Sequence, residues 1–124
     1  MTTKVVTIHI THHHLAHGVT SLAMKGSIHA GPDCKRIEDD IEHLVHGGQT
    51  RVVFDLSGVT HIDSAAIGMI VKCFSRLKNG GGLLRIAGAT GMVEGTLKMT
   101  QVNKVIGMFP TADAAAEAFA SKSA

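Results

Sequence analysis

Tryptophan and tyrosine are absent from this 124-residue chain, and four phenylalanines bring the aromatic share to only 3%. Proteins that hold single-stranded nucleic acid stack bases on aromatic rings beside a basic groove. With so few rings and a formal charge of only +2, no nucleic-acid partner is expected. No run of about 18 apolar residues occurs, so no membrane span is expected, and the N-terminus lacks the apolar core of a signal peptide. Cysteine is scarce as well. Cys34 and Cys73 form neither a C-x-x-C pair nor a metal-ligand spacing. Both fall in segments of helical pattern, which suits reduced thiols in a cytoplasmic protein better than a disulfide framework.

What is present is a globular composition. Hydrophobic residues make up 44% and charged residues 18%, enough apolar surface to support a core and too little charge for disorder. The length fits one domain over residues 1–124, with a core expected in 19–120 and an N-terminal strand plus a mobile, histidine-rich hairpin loop in 1–18. There is no internal repeat, no linker and no low-complexity tract apart from the histidines. Nothing in the pattern specifies self-association.

Alternation suggests strands over residues 5–11 and 19–25, able to pair as a hairpin through the histidine-rich connection. Residues 26–31 read as a loop leading to Pro32, which suits the first turn of a helix over 32–46. Ile37, Ile41, Leu44 and Val45 form its apolar stripe, and Gly47-Gly48 ends it. An apolar strand over 51–56 and a Ser57-Gly58 turn come next. The second helix, 64–77, places Ile67, Ile70, Phe74 and Leu77 on one side and Ser64, Gly68, Lys72, Ser75 and Asn79 on the solvent side. Residues 83–87 read as a strand, 92–99 as a short helix, 105–109 as a strand, and Pro110-Thr111 introduces a helix over 112–121. The order β-β-α-β-α-β-α-β-α predicts an α/β fold, a mixed sheet of about five strands with about four helices.

The polar corner at Asp63-Ser64 carries the main chemistry. A serine or aspartate at a helix start is most simply a cap that accepts an orphan N–H. A helix N-terminus also stabilises negative charge, so a phosphate of about −1.5 to −2 charges on Ser64 would be tolerated without refolding. Gly68, one turn on, has no side chain to block a close partner, and glycine within a helix costs about 1 kcal/mol relative to alanine. The cluster His9, His12, His13, His14 and His17 has metal-like spacings but no acidic or thiol residue nearby in sequence, so a solvated loop is the simpler reading and no metal site is expected. Gly88-Ala89-Thr90-Gly91 matches no phosphate-loop motif. No G-x-S-x-G elbow, fixed triad or paired carboxylates appear, so an enzyme and a cofactor are not expected.

The run VVFDLSGVTHIDSAAIGMIVKCFSRLKNGGGLLRIAG, followed by LKMTQVNKVIGMFPTADAAAEAF, resembles the STAS domain of bacterial anti-sigma factor antagonists over roughly residues 22–119. The marks are an Asp-Ser dipeptide opening a helix, Gly four residues after the Ser, and a glycine-rich helix end. The resemblance implies a single STAS domain that binds an anti-sigma factor with serine kinase activity and thereby frees a sigma factor. Phosphorylation of the serine breaks the complex, and a phosphatase resets it. By position that serine is Ser64, with Asp63 shaping the turn, Gly68 the contact surface, and Ile67, His29 and Lys72 also facing the partner. There are two departures from the pattern. Ala66 stands where the family usually has glycine, implying a helix start less open to a partner, and Gly26-Ser27-Ile28-His29 replaces Gly-Glu-Leu-Asp. His29 thus takes the place of an aspartate that assists the kinase, where it is suited to pair with a phosphate. Two rival roles follow from the same resemblance: a scaffold or transport-complex subunit that does not cycle phosphate, for which His29 is the discriminating feature, and a nucleotide sensor.

Overall fold

The computed structural model describes residues 8–120. Five strands, β1 (His9–Leu15), β2 (Val19–Ile28), β3 (Arg51–Ile62), β4 (Leu83–Ala87) and β5 (Met108–Phe109), lie side by side in chain order. β1 runs antiparallel to β2, and the other neighbours are parallel. Helices α1 (Pro32–His46), α2 (Ser64–Asn79) and α3 (Gly91–Met99) each connect two adjacent parallel strands, and α4 (Ala112–Ala120) follows β5. Parallel crossovers are right-handed, so three connections advancing in one direction fall on one face of the sheet.

That face carries the larger core. Leu22, Phe54 and Ile86 from the strands meet Ile37 and Ile41 of α1, Ile70 and Leu77 of α2 and Leu97 of α3, all fully buried. The opposite face is covered by α4, whose Ala115, Ala116 and Phe119 pack on Val19, Val53 and Ala87. At about 25 cal/mol per Å² of apolar area removed from water, these two interfaces supply the main drive for folding. No described helix is long and apolar enough to cross a membrane.

The expected α/β order is the observed one, with four corrections inside it. The strand expected over 5–11 begins at His9 and runs through His12, His13 and His14, so these residues are strand and not a mobile loop; residues 5–7 lie outside the described part. The hairpin turns over Ala16–Gly18, with His17 at φ 65° and Gly18 at φ 70°. Positive φ at both central positions is what tight hairpins need. Residues 26–28, expected as loop, extend β2 to Ile28. Ser57-Gly58 is not a turn but part of β3, which continues to Ile62. Pairing of β2 with β3 shifts register beside Lys25 and Gly58. There the strands approach so closely that a side chain on Gly58 would sit 2.9 Å from the Met24 carbonyl oxygen, so glycine marks a bulge.

The last strand is shorter than the expected 105–109. A 3-10 turn, Val102–Lys104, continues through bonds from the Val105 and Ile106 N–H groups to the Val102 carbonyl, leaving only Met108 and Phe109 to pair with β4.

Candidate functional site

The ends of β2 and β3 lie together, because the Asp63 N–H donates to the Ile28 carbonyl at 3.3 Å. Asp63 leaves β3 in extended conformation and caps α2: its Oδ1 accepts the Ala66 N–H at 2.8 Å. The second carboxylate oxygen, Oδ2, accepts the Ala30 N–H at 3.0 Å and lies 3.8 Å from His29 Nδ1. One side chain therefore holds both the helix start and the loop between β2 and α1. That loop has two further ties. Buried Asp33 accepts the His29 N–H at 3.1 Å, and the Cys34 thiol donates to the His29 carbonyl at 3.3 Å.

Ser64 is the first residue of α2 and is exposed. The expected solvent face is the observed one: Ser64, Gly68, Lys72, Ser75 and Asn79 are all exposed, and Ile67 is half-buried with its inner side against the core. Space for a side chain at Gly68 is open, with no atom within 4 Å. Lys72 reaches across to α1, with Nζ 3.5 Å from Glu38 Oε1, and Arg76 makes a forked pair with Glu42 at 2.8 and 3.2 Å. These pairs bridge a groove of about 360 Å³ between α1 and α2. Thus Asp63, Ser64 and His29 come together, Ile67 and Gly68 continue the surface, and Lys72 stands two turns away, engaged with α1.

Ala66 corrects an expectation. It is fully buried, so the methyl that replaces the family's glycine points into the core and does not narrow the approach to Ser64. Sequence reasoning passed over Asp33 and Val71 and took Cys34 only as an ordinary thiol. The Pro-Asp start of α1 was a signal for Asp33, since an acid in the first turn can reach back to the preceding N–H. Val71, 42% exposed on α2, stands next to Lys72 and adds apolar area to the face.

Charge at this corner is already set. Partial desolvation pushes the Asp63 carboxyl upward, but the N–H groups of Ala66, Ala30 and Ala65 and the neighbouring His29 outweigh it and hold the carboxyl below its ordinary value. Ionised Asp63 therefore favours the fold. Its contribution is full above the unfolded value of about 3.9 and is lost as pH falls through the lower folded one. Asp63→Ala is expected to destabilise the protein by about 1 kcal/mol at pH 7, with a smaller difference from wild type at pH 2. Urea denaturation at the two pH values measures it; an equal difference at both would refute the assignment. Burial raises both thiols, Cys73 to about 12, so neither is a reactive thiolate at neutral pH.

No group of three metal-ligating side chains converges among the described residues. Carboxylates do accompany the histidines in space: His12 meets Asp40 at 3.4 Å and His17 meets Glu117 at 3.2 Å.

Solved structures share this architecture at low identity. An anti-sigma factor antagonist from Mycobacterium paratuberculosis aligns over 90% of this chain and 92% of its own, with 20% identity and a TM-score of 0.76. The Bacillus cell fate determinant SpoIIAA in its phosphorylated form aligns over 90% and 99%, with 12% identity and a TM-score of 0.70. A sulfate transporter family protein from Wolinella succinogenes aligns over 86% and 88%, with 16% identity and a TM-score of 0.66. At such identities the likeness speaks for the fold. Comparison with curated proteins returns no match. The family model of the STAS domain matches residues 17–115.

Proposed function

The chain belongs to the STAS domain family, and we propose that within it the protein is an anti-sigma factor antagonist that works by partner switching. In its unmodified form the face formed by His29, Asp63, Ser64, Ile67, Gly68 and Lys72 docks an anti-sigma factor that is also a serine kinase, and the sigma factor is released. Transfer of the ATP γ-phosphate to the Ser64 hydroxyl, with loss of its proton and release of ADP, ends the docking; a serine phosphatase restores it.

The observation that carries this reading is Ser64 itself: an exposed hydroxyl at the first residue of a sixteen-residue helix, on a corner fixed by Asp63. A phosphate there meets the positive end of the helix dipole and stays in water, so the fold tolerates it. It also stands beside the ionised Asp63, and the two together make a concentrated negative face that a docked partner must desolvate. His29, exposed and next to Asp63, offers the modified serine a partner when protonated.

Incubation with the cognate kinase and ATP is expected to add one phosphate, mapped by mass spectrometry to Ser64, and Ser64→Ala should take up none. Phosphate on another residue would refute the reading. Stable association unaffected by charge at Ser64 would instead favour a scaffold or transport-complex role.

Gly68 gives an independent check. Its position admits a methyl without clash in the free protein, so Gly68→Ala is expected to raise stability by up to about 1 kcal/mol. If the partner's backbone packs on that turn, the same change weakens docking about tenfold. Thermal melts and titration calorimetry read the two effects separately, and tighter or unchanged docking would remove Gly68 from the contact surface.

A further inference from the structure

Strand β1 lies at the edge of the sheet, bonded to β2 on one side and, among the described residues, to no strand on the other. Natural edges are commonly blocked by lysine, proline, a bulge or brevity. β1 has none of these: its seven residues, HITHHHL, pair with β2 in unbroken register and include no Lys, Asp, Glu or Pro. In their place are four exposed histidines.

Strand alternation sorts them. His12 and His14 stand opposite Leu22 and Thr20, on the side of the sheet that carries α1, whereas His9 and His13 are on the other side. His12 is already oriented: its Nε2 is 3.4 Å from Asp40 Oδ2, and that oxygen is 3.6 Å from Arg36 Nε. Metal-bound imidazoles typically give their second ring N–H to a carboxylate, and this contact leaves Nδ1 of His12 to coordinate. Yet no three ligating side chains of one chain converge among the described residues. His12 and His14 are half of a site.

We propose that a second copy of this chain supplies the other half: two β1 edges pair antiparallel, and a borderline transition ion of the zinc, nickel or copper type is held by His12 and His14 of both copies. A two-fold axis at His13 sets His12 opposite His14 of the second copy, and an axis at His12 sets the two His12 side chains face to face with His14 on the diagonal. Opposite Cβ atoms in such a pair are about 4.5–5.5 Å apart and diagonal neighbours about 7–8 Å; the register centred on His13 therefore gathers four imidazoles on one side, a nitrogen set suited to these ions, whereas the one centred on His12 leaves the two His14 side chains too far apart along the strands to share an ion.

The test uses untagged protein at neutral pH, with mass measured by light scattering after gel filtration and bound metal by elemental analysis of the same peak. Zinc chloride should convert monomer to dimer with one zinc per two chains. EDTA should reverse this, and magnesium, which prefers oxygen ligands, should have no effect. A His12→Ala, His14→Ala double variant with unchanged circular dichroism should stay monomeric in zinc and bind it at least tenfold more weakly; His9→Ala with His13→Ala should still dimerise. Zinc uptake by a monomer, a dimer that persists in EDTA, or dimerisation lost with His9 and His13 but not with His12 and His14 would overturn the proposal.

Discussion

Ser64→Asp is expected to bind the anti-sigma partner at least a hundredfold more weakly than the unmodified chain, a loss of about 2.7 kcal/mol, and phosphorylated Ser64, with nearly twice the charge, more weakly still. The reason lies in what surrounds the hydroxyl. Asp63 is held ionised by three backbone N–H groups and His29, so a second negative group enters a corner that is already negative. At an interface such like charges cost several kcal/mol, because neither can be paired or left in water. In the free protein the new charge stays exposed, and the core beneath, from Ala66 to Leu77, is untouched. Far-UV circular dichroism and the melting temperature should therefore stay close to wild type while titration calorimetry records the loss. An affinity within threefold of wild type would end the partner-switching reading, even if Ser64 proved to be phosphorylated.

The largest effect on stability is expected at Gly82. It precedes β4 where that strand starts alongside β3, and the Leu83 N–H donates to the Thr50 carbonyl at 2.9 Å. A Cβ on Gly82 would overlap that carbonyl oxygen. The obstacle is the Thr50 carbonyl group and Cβ, fixed by the first bond of the parallel ladder, so it cannot rotate away as the end of a side chain would. Gly82→Ala should cost about 3 kcal/mol, near the upper part of the usual range for overpacking. The urea midpoint reports it, and an unchanged midpoint would mean that the start of β4 slides freely on β3. Gly81→Ala separates backbone strain from crowding, since no atom lies within 4 Å of its Cβ position but its φ is 89°.

Both predictions rest on features of different legibility. The candidate site was legible because its signals are local: an Asp-Ser dipeptide at a helix start, an apolar stripe of helical spacing behind it and a glycine one turn on. The fold order was readable for the same reason, since apolar strands and amphipathic helices alternate along the chain. What escaped notice depends on contacts distant in sequence. Ser57-Gly58 has the chemistry of a turn, yet β2 passes close enough to require glycine inside a continuing strand. The histidines have the composition of a solvated loop, yet pairing with β2 outweighs composition. Ala66 looked like an obstruction because the resemblance set it against a glycine, whereas two residues past the exposed Ser64, about 200° around the helix, it is turned fully inward. Asp33 and the Ala30 N–H became visible only when the ends of β2 and β3 were brought together.

The double tie made by Asp63 has a kinetic meaning. Because one carboxylate fixes both the start of α2 and the loop after β2, with Asp33 and Cys34 fastening that loop again, the proposed docking corner would need no ordering when a partner arrives. Little binding free energy is then spent on immobilising loops, and the complex forms at the rate at which two rigid patches find each other. Charge at Ser64 should accordingly be felt in residence time: the modified complex falls apart faster, while the encounter itself slows far less.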